Sequence, residues 1–136
     1  MALGIRKLND NDYDDLLVGW WKDWGFQPPN KDFLPDDAKG GIMVMDGDIP
    51  VCAGYVYHTN SKIGWVDWVI SNKQYRKKPD RSKAITLLVA ALTQICKDSG
   101  YKFGYSLFKN NSLINTFENL GYIKGTTYTN EMIKFL

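Results

Sequence analysis

Long apolar runs, charge of one sign, cysteine and histidine are all scarce in this chain, and each scarcity removes a class of function. No stretch of eighteen or more apolar residues occurs, and the opening Met1-Ala2-Leu3-Gly4-Ile5-Arg6-Lys7 has no apolar segment of the signal-peptide kind. A soluble, cytoplasmic protein without membrane contact is expected. Seventeen Lys and Arg against fifteen Asp and Glu leave a formal charge of +2, too small for a global field that would favour nucleic acid. The two cysteines, Cys52 and Cys96, are too few and too far apart for a zinc set, so no metal is expected and both are read as small apolar groups. The single histidine, His58, is read first as a surface residue.

What the chain does have is enough apolar content for one core: 136 residues, 44% of them hydrophobic, suit a single domain spanning 1–136. Aromatics are plentiful, with five Trp, eight Tyr and six Phe, and serve equally in a core or along a cleft. Leu3 to Leu8 alternates as a first strand. A helix is expected from about Asp10 to Trp24, because Tyr13, Leu16, Leu17, Trp20, Trp21 and Trp24 recur at steps of three and four. Pro28-Pro29 forbids its continuation, and a long loop runs to Gly41. Strands Ile42 to Met45, Val51 to Thr59 and Ile63 to Ser71 are separated by turn formers and read as an antiparallel meander. From Arg81 to Asp98 the apolar period becomes helical, with Gly100 placed to end the helix. A strand Tyr101 to Phe108, a helix Asn111 to Leu120, and closing strands near Tyr122 to Gly125 and Glu131 to Leu136 complete a mixed α/β order.

The stretch from Asn110 to Tyr122, with Phe117 and Leu120-Gly121-Tyr122, resembles the last helix and turn of the GNAT superfamily of acetyl-CoA-dependent N-acetyltransferases. The element order matches that fold, an α+β arrangement with a mostly antiparallel sheet of six to seven strands flanked by helices. The resemblance implies transfer of acetyl from acetyl-CoA to a primary amine by direct transfer in a ternary complex. It implies acetyl-CoA as co-substrate, an unidentified amine acceptor and, as is common in the family, a homodimer. Val69 and Ile70 would offer backbone groups to the pantetheine arm, and Asn110 and Phe117 would approach it from the last helix. The family's fourth-strand end and phosphate loop correspond to Val69 through Lys83. The loop's glycines are missing here and Pro79 carries no N–H, while Arg76, Lys77, Lys78, Arg81 and Lys83, with Ser82, crowd where a helix N-terminus would meet a pyrophosphate. Taken in isolation such a charge run reads as a solvated loop, but its place between a buried strand and an amphipathic helix favours the phosphate-binding reading.

Amine acetylation requires a neutral amine, a polarised thioester carbonyl and a departing thiolate. Phe117 stands where many GNAT enzymes carry a tyrosine general acid. Asp67, between Trp65 and Trp68 on a central strand, is the candidate base; a carboxylate there is costly unless paired or functional, and both readings stay open. Tyr105 is a second catalytic candidate, with His58 weaker and Tyr122 more naturally a packing residue. Trp24, Phe26 and Tyr57 are candidates to line the acceptor site. A catalytically inactive binding protein of the same fold is the alternative, with a macromolecular partner or nucleic acid reached through the basic cluster.

Overall fold

The computed structural model describes residues 2–76, 78–128 and 130–136. Five strands form one sheet in sequence order: β1 (Leu3–Lys7), β2 (Gly41–Asp46), β3 (Ile49–His58), β4 (Ile63–Ser71) and β5 (Phe103–Tyr105). The first four pair antiparallel and β5 joins β4 in parallel. That parallel step needs a crossover, which helix α2 (Arg81–Asp98) supplies.

Strand alternation sorts the core into two layers. Val44, Cys52, Val56 and Val66 point towards α2 and meet Ala84, Leu88, Val89, Leu92 and Cys96, which recur on one helical face. Each fully buried Val or Leu here contributes roughly 1.5–3 kcal/mol by leaving water. Close approach is made possible by absent side chains: a Cβ on Gly54 would lie 2.8 Å from Leu92, and one on Gly64 would lie 2.5 Å from the Cys96 sulfur. Helix α3 (Asn111–Asn119) joins this layer through Phe117. Both α2 and α3 end on a left-handed glycine, Gly100 and Gly121, with the next residue's N–H returning to Cys96 and Phe117 carbonyls at 3.2 and 3.1 Å.

The other layer sets Met43, Ala53, Tyr55 and Ile70 against Leu17, Trp20 and Trp21. Those helix residues come from a π-helical turn (Tyr13–Leu17) running into α1 (Val18–Asp23), the expected helix with a widened first turn. Asp12 anchors its entry. Buried at 4% exposure, it takes two hydrogen bonds from Arg6 at 2.7 and 2.9 Å and one from the Asn9 N–H at 2.8 Å. The loop after α1 folds over the sheet through a left-handed turn at Asp36, Asp37 and Ala38, fixed where the Tyr55 hydroxyl donates to the Ala38 carbonyl at 2.9 Å.

Two expectations are corrected. The fifth strand spans three residues rather than Tyr101 to Phe108, and the two closing strands are not formed among the described residues, so the sheet has five strands rather than six or seven. Tyr122 is drawn out of the sheet into the α2 layer: its hydroxyl meets Thr93 Oγ1 at 2.7 Å and its ring packs on Phe117 at 4.8 Å. Residues 123–128 and 130–136 carry scattered apolar side chains but have no ladder partner among the described residues, and a strand is defined by its neighbour.

Candidate active site

On one side of a break in their register Ala53 faces Ile70, and on the other Tyr55 faces Asp67. Gly54 alone therefore stands opposite Trp68 and Val69, a bulge that breaks the in-out alternation of β4. Trp68 absorbs the extra residue at φ +56°, an uncommon conformation for a bulky side chain. The Asp67 carboxylate secures it by accepting the Trp68 backbone N–H at 2.7 Å. Asp67 and Trp68 consequently both lie on the α1 side, Trp68 edge-on to Trp21 at 6.1 Å, while Val69 returns to the α2 layer.

The same strand loses its neighbour at this level. Pairing of β4 with β5 ends at Trp65 and Tyr105, and Ser106 adds one contact, donating its hydroxyl to the Val66 carbonyl at 2.6 Å. From Asp67 to Ser71 the outer edge of β4 has no strand partner among the described residues. Val69 and Ile70 occupy that edge, leaving backbone groups able to bond an extended ligand.

Around Asp67 the side chains are aromatic. The Trp65 and Tyr105 rings meet edge-to-face at 4.9 Å. Trp68 donates its indole N–H to the Tyr57 hydroxyl at 2.7 Å, and Tyr57 donates in turn to the Phe33 carbonyl at 2.7 Å, with the Phe33 ring 6.0 Å from Trp68. Burial pushes the Asp67 carboxyl above the usual Asp range, and the Glu131 carboxylate adds to the rise. The Trp68 N–H and the neighbouring Trp65 indole work against it. Among the described residues, however, the Trp65 Nε1 is buried and closes no hydrogen bond of good geometry. We read it as near the carboxylate but not engaged with it. Burial also raises the Tyr57 hydroxyl, reinforced by the charge of Asp67 and opposed by the Trp68 indole.

The far end of β4 is basic. Arg81 opens α2 and reaches back so that its Nη2 donates to the buried Ser71 hydroxyl at 3.2 Å, while its Nε is buried without a partner among the described residues. Trp24 lies here as well. Its indole donates to the Ser71 carbonyl at 2.8 Å, with Lys73 5.2 Å and Arg81 5.8 Å from its ring. The Asp80 side chain does not cap α2, and among the described residues the first-turn amides of Ser82 and Lys83 have no hydrogen-bond partner. Lys83 is 3.7 Å from Asp80, Arg76 donates to the Lys73 carbonyl at 3.0 Å, and Lys78 is exposed. Lys77 lies outside the described residues.

The candidates thus divide. Asp67, Tyr105 and Tyr57 gather at the bulge, and Ser71, Arg81, Ser82 and Lys83 gather at the α2 N-terminus. Trp24 sits with the second group rather than beside Tyr57, and Phe26 is 60% exposed beyond α1. Asn110 caps α3, its Oδ1 accepting from the Ser112 N–H at 2.9 Å, and Phe117 is buried against Phe108 and Tyr122. His58 is exposed and stacks on Tyr101. Sequence reasoning missed Phe33 and Trp68 as parts of the frame. Trp68 was visible as a neighbour of Asp67, but only the bulge puts the two on one side. A charged hollow of about 620 Å³ lined by Asp10, Lys31, Asp32, Asp37 and Lys39 lies elsewhere, and its lysines are already paired with Asp14 and Asp10. Among the described residues no His, Cys, Asp or Glu cluster suited to a metal forms, and no helix is long and apolar enough to cross a membrane.

No protein-family model and no curated protein matches the sequence. Solved structures do match the fold. Glucosamine-6-phosphate N-acetyltransferase from Arabidopsis thaliana superposes with a TM-score of 0.71 at 12% identity, over 98% of this chain and 100% of that one. AAC(6')-Iy in complex with the bisubstrate analogue CoA-S-monomethyl-acetylneamine gives 0.66 at 13% identity, over 99% and 100%. The ribosomal-protein-S18-alanine N-acetyltransferase of Escherichia coli gives 0.67 at 13% identity, over 92% and 80%. The architecture is therefore the GNAT fold, and identities this low carry the fold alone.

Proposed function

We propose that this chain is an N-acetyltransferase that moves an acetyl group from acetyl-CoA to a primary amine by direct transfer. The observation that carries the reading is the outer edge of β4 from Asp67 to Ser71, unpaired among the described residues, which runs between a half-buried carboxylate and a helix N-terminus without a side-chain cap. The residues fit the coenzyme. The Arg81 Nε and the Ser82 and Lys83 amides, without partners among the described residues, are donors suited to a pyrophosphate, in place of the glycines such loops usually carry. The edge of Val69 and Ile70 suits an amide-bearing arm.

Bound acetyl-CoA would supply the acetyl group as a thioester. Asp67 takes a proton from the incoming ammonium, a task for which a carboxyl raised above its ordinary range is better suited than an exposed one. The neutral nitrogen then bonds to the acetyl carbon, the carbon–sulfur bond breaks with its electron pair leaving on sulfur, and the second nitrogen proton passes to water or to the departing thiolate. Phe117 is buried and has no hydroxyl, so the thiolate departs as an anion or takes its proton from water. The aromatic frame around Asp67 limits water at the point of transfer.

Titration calorimetry with acetyl-CoA and CoA tests the reading. Micromolar binding, weakened in Arg81→Ala, supports it. A correctly folded chain that takes up neither at millimolar concentration is a GNAT-fold binding protein instead.

A further inference from the structure

The two ends of the open β4 edge are opposite in chemistry. Arg81, with Arg76 and Lys78 in the preceding loop, makes the Ser71 end basic, whereas the Asp67 end carries Asp67 itself and the nearby Glu131. Among the described residues no Lys, Arg or His forms an ion pair with Asp67. The remaining surroundings are ring faces and edges: Trp65 with Tyr105, Trp68 with Phe33, and Tyr57 tied to both Trp68 and Phe33. From this arrangement, and resting on the acetyltransferase reading, we infer that the acceptor is a primary ammonium carried on an apolar or aromatic body, with no phosphate or carboxylate near its nitrogen.

Three physical terms support that class. A cation beside ring faces is attracted by their quadrupoles, and the attraction grows where water is excluded. The Asp67 carboxylate supplies the countercharge its own fold withholds. An anionic group on the acceptor would meet two carboxylates, with no ion-paired cation at Asp67 among the described residues to offset them, an arrangement that disfavours wrong partners by repulsion. The frame is also held in place before any ligand arrives. The Trp68–Tyr57–Phe33 hydrogen-bond chain pins the loop at residues 31–33 to the sheet, and the bulge fixes the direction of Asp67. Little side-chain ordering remains to oppose binding.

The test is titration calorimetry with phenethylamine as the probe, on the chain alone and on the chain with saturating CoA. Glucosamine 6-phosphate is the anionic comparison. Phenethylamine is expected to bind saturably, with roughly tenfold weaker affinity in Tyr105→Leu and in Asp67→Asn, and glucosamine 6-phosphate is expected to show no saturation. Circular dichroism confirms that each variant is folded, and Tyr105, at the short edge strand, is the safer of the two to alter. Tighter binding of glucosamine 6-phosphate, or phenethylamine binding unchanged in both folded variants, overturns the inference. So does an absence of phenethylamine binding in a wild-type chain that binds CoA. Amine binding without CoA binding removes the acetyltransferase reading and the acceptor role with it, whereas CoA binding without amine binding overturns the inference alone, so the two failures are distinguishable.

Discussion

Two carboxylates on the α1 side of the sheet have opposite fates. Asp12 is almost wholly buried, yet it is completed by a two-pronged Arg6 and a backbone N–H. Burial raises its pKa, but the Arg6 hydrogen bonds and charge outweigh that and hold it below the usual Asp value. Asp67 is half-buried, accepts one backbone N–H, has no ion-pair partner among the described residues and has a carboxylate in Glu131 for company, and it is held above that value. The chain contains the means to neutralise a buried acid and uses them at the helix entry but not at the bulge. Groups left incomplete along β4 (Asp67, the Trp65 Nε1 and the Arg81 Nε) mark where a ligand would complete them.

The comparison breaks most visibly at Asp67. Asp67→Asn keeps an oxygen to accept the Trp68 N–H and removes the base, so kcat/KM for amine acetylation is expected to fall about 10²- to 10³-fold. The same variant should be at least as stable as wild type in thermal unfolding. Because the folded pKa of Asp67 is raised, its charged form disfavours the fold at neutral pH, and Asn removes that cost. A variant that keeps full activity would return Asp67 to an ordinary structural role.

Arg6→Ala strikes the completed pair. It leaves Asp12 buried and unmatched, with a cost of about 2 kcal/mol after discounting for the partial exposure of Arg6, or a fall in Tm of roughly 6 °C. The acetylation rate should not change. An Arg6→Ala chain that loses activity while keeping its Tm would reverse the roles assigned to the two acids.

Arg81→Ala sharpens the idea of incompleteness at the other end of β4. Loss of a charge-assisted contact is expected to weaken CoA binding about tenfold, near 1.4 kcal/mol. Stability should change little, because the lost bond to Ser71 is long and the orphaned Nε goes with it. Unfolding free energy measured against pH gives the smallest effect. Asp12, with a lowered folded pKa, contributes stability that is present above its unfolded pKa near 4 and is lost as pH falls through the folded value. Asp67, with a raised folded pKa, contributes in the opposite sense: stability present below the unfolded value is lost as pH rises through the folded one. Asp67→Asn should therefore flatten the mildly acidic part of the curve and leave the strongly acidic part alone.

Much of this was legible in the residues. The apolar run Ile63–Ser71 and the three-four spacing of Ala84 through Cys96 define β4 and α2 with the boundaries the structure has, because burial on both sides leaves little choice of pattern. Asp67 was conspicuous as an acid between tryptophans. The bulge was not, since a left-handed turn is ordinarily announced by glycine and here falls on Trp68, whose ring packs between Trp21 and Phe33. Trp24 reads as one more residue of an apolar helical stripe, and nothing local reveals that its indole reaches Ser71 across 47 residues of sequence. The closing strands were over-read. Met132, Ile133, Phe135 and Leu136 make an apolar segment suited to a sheet, while the sheet itself supplies no neighbour among the described residues.

Carboxyl-carbon NMR of the aspartates, titrated from neutral to acid pH and assigned with Asp12→Asn and Asp67→Asn, addresses the contrast directly. Asp67 is expected to protonate above the ordinary Asp value of about 3.9 and Asp12 below it. Coincident titrations, or Asp67 titrating as the more acidic of the two, would contradict the claim that β4 carries an acid left unpaired for chemistry.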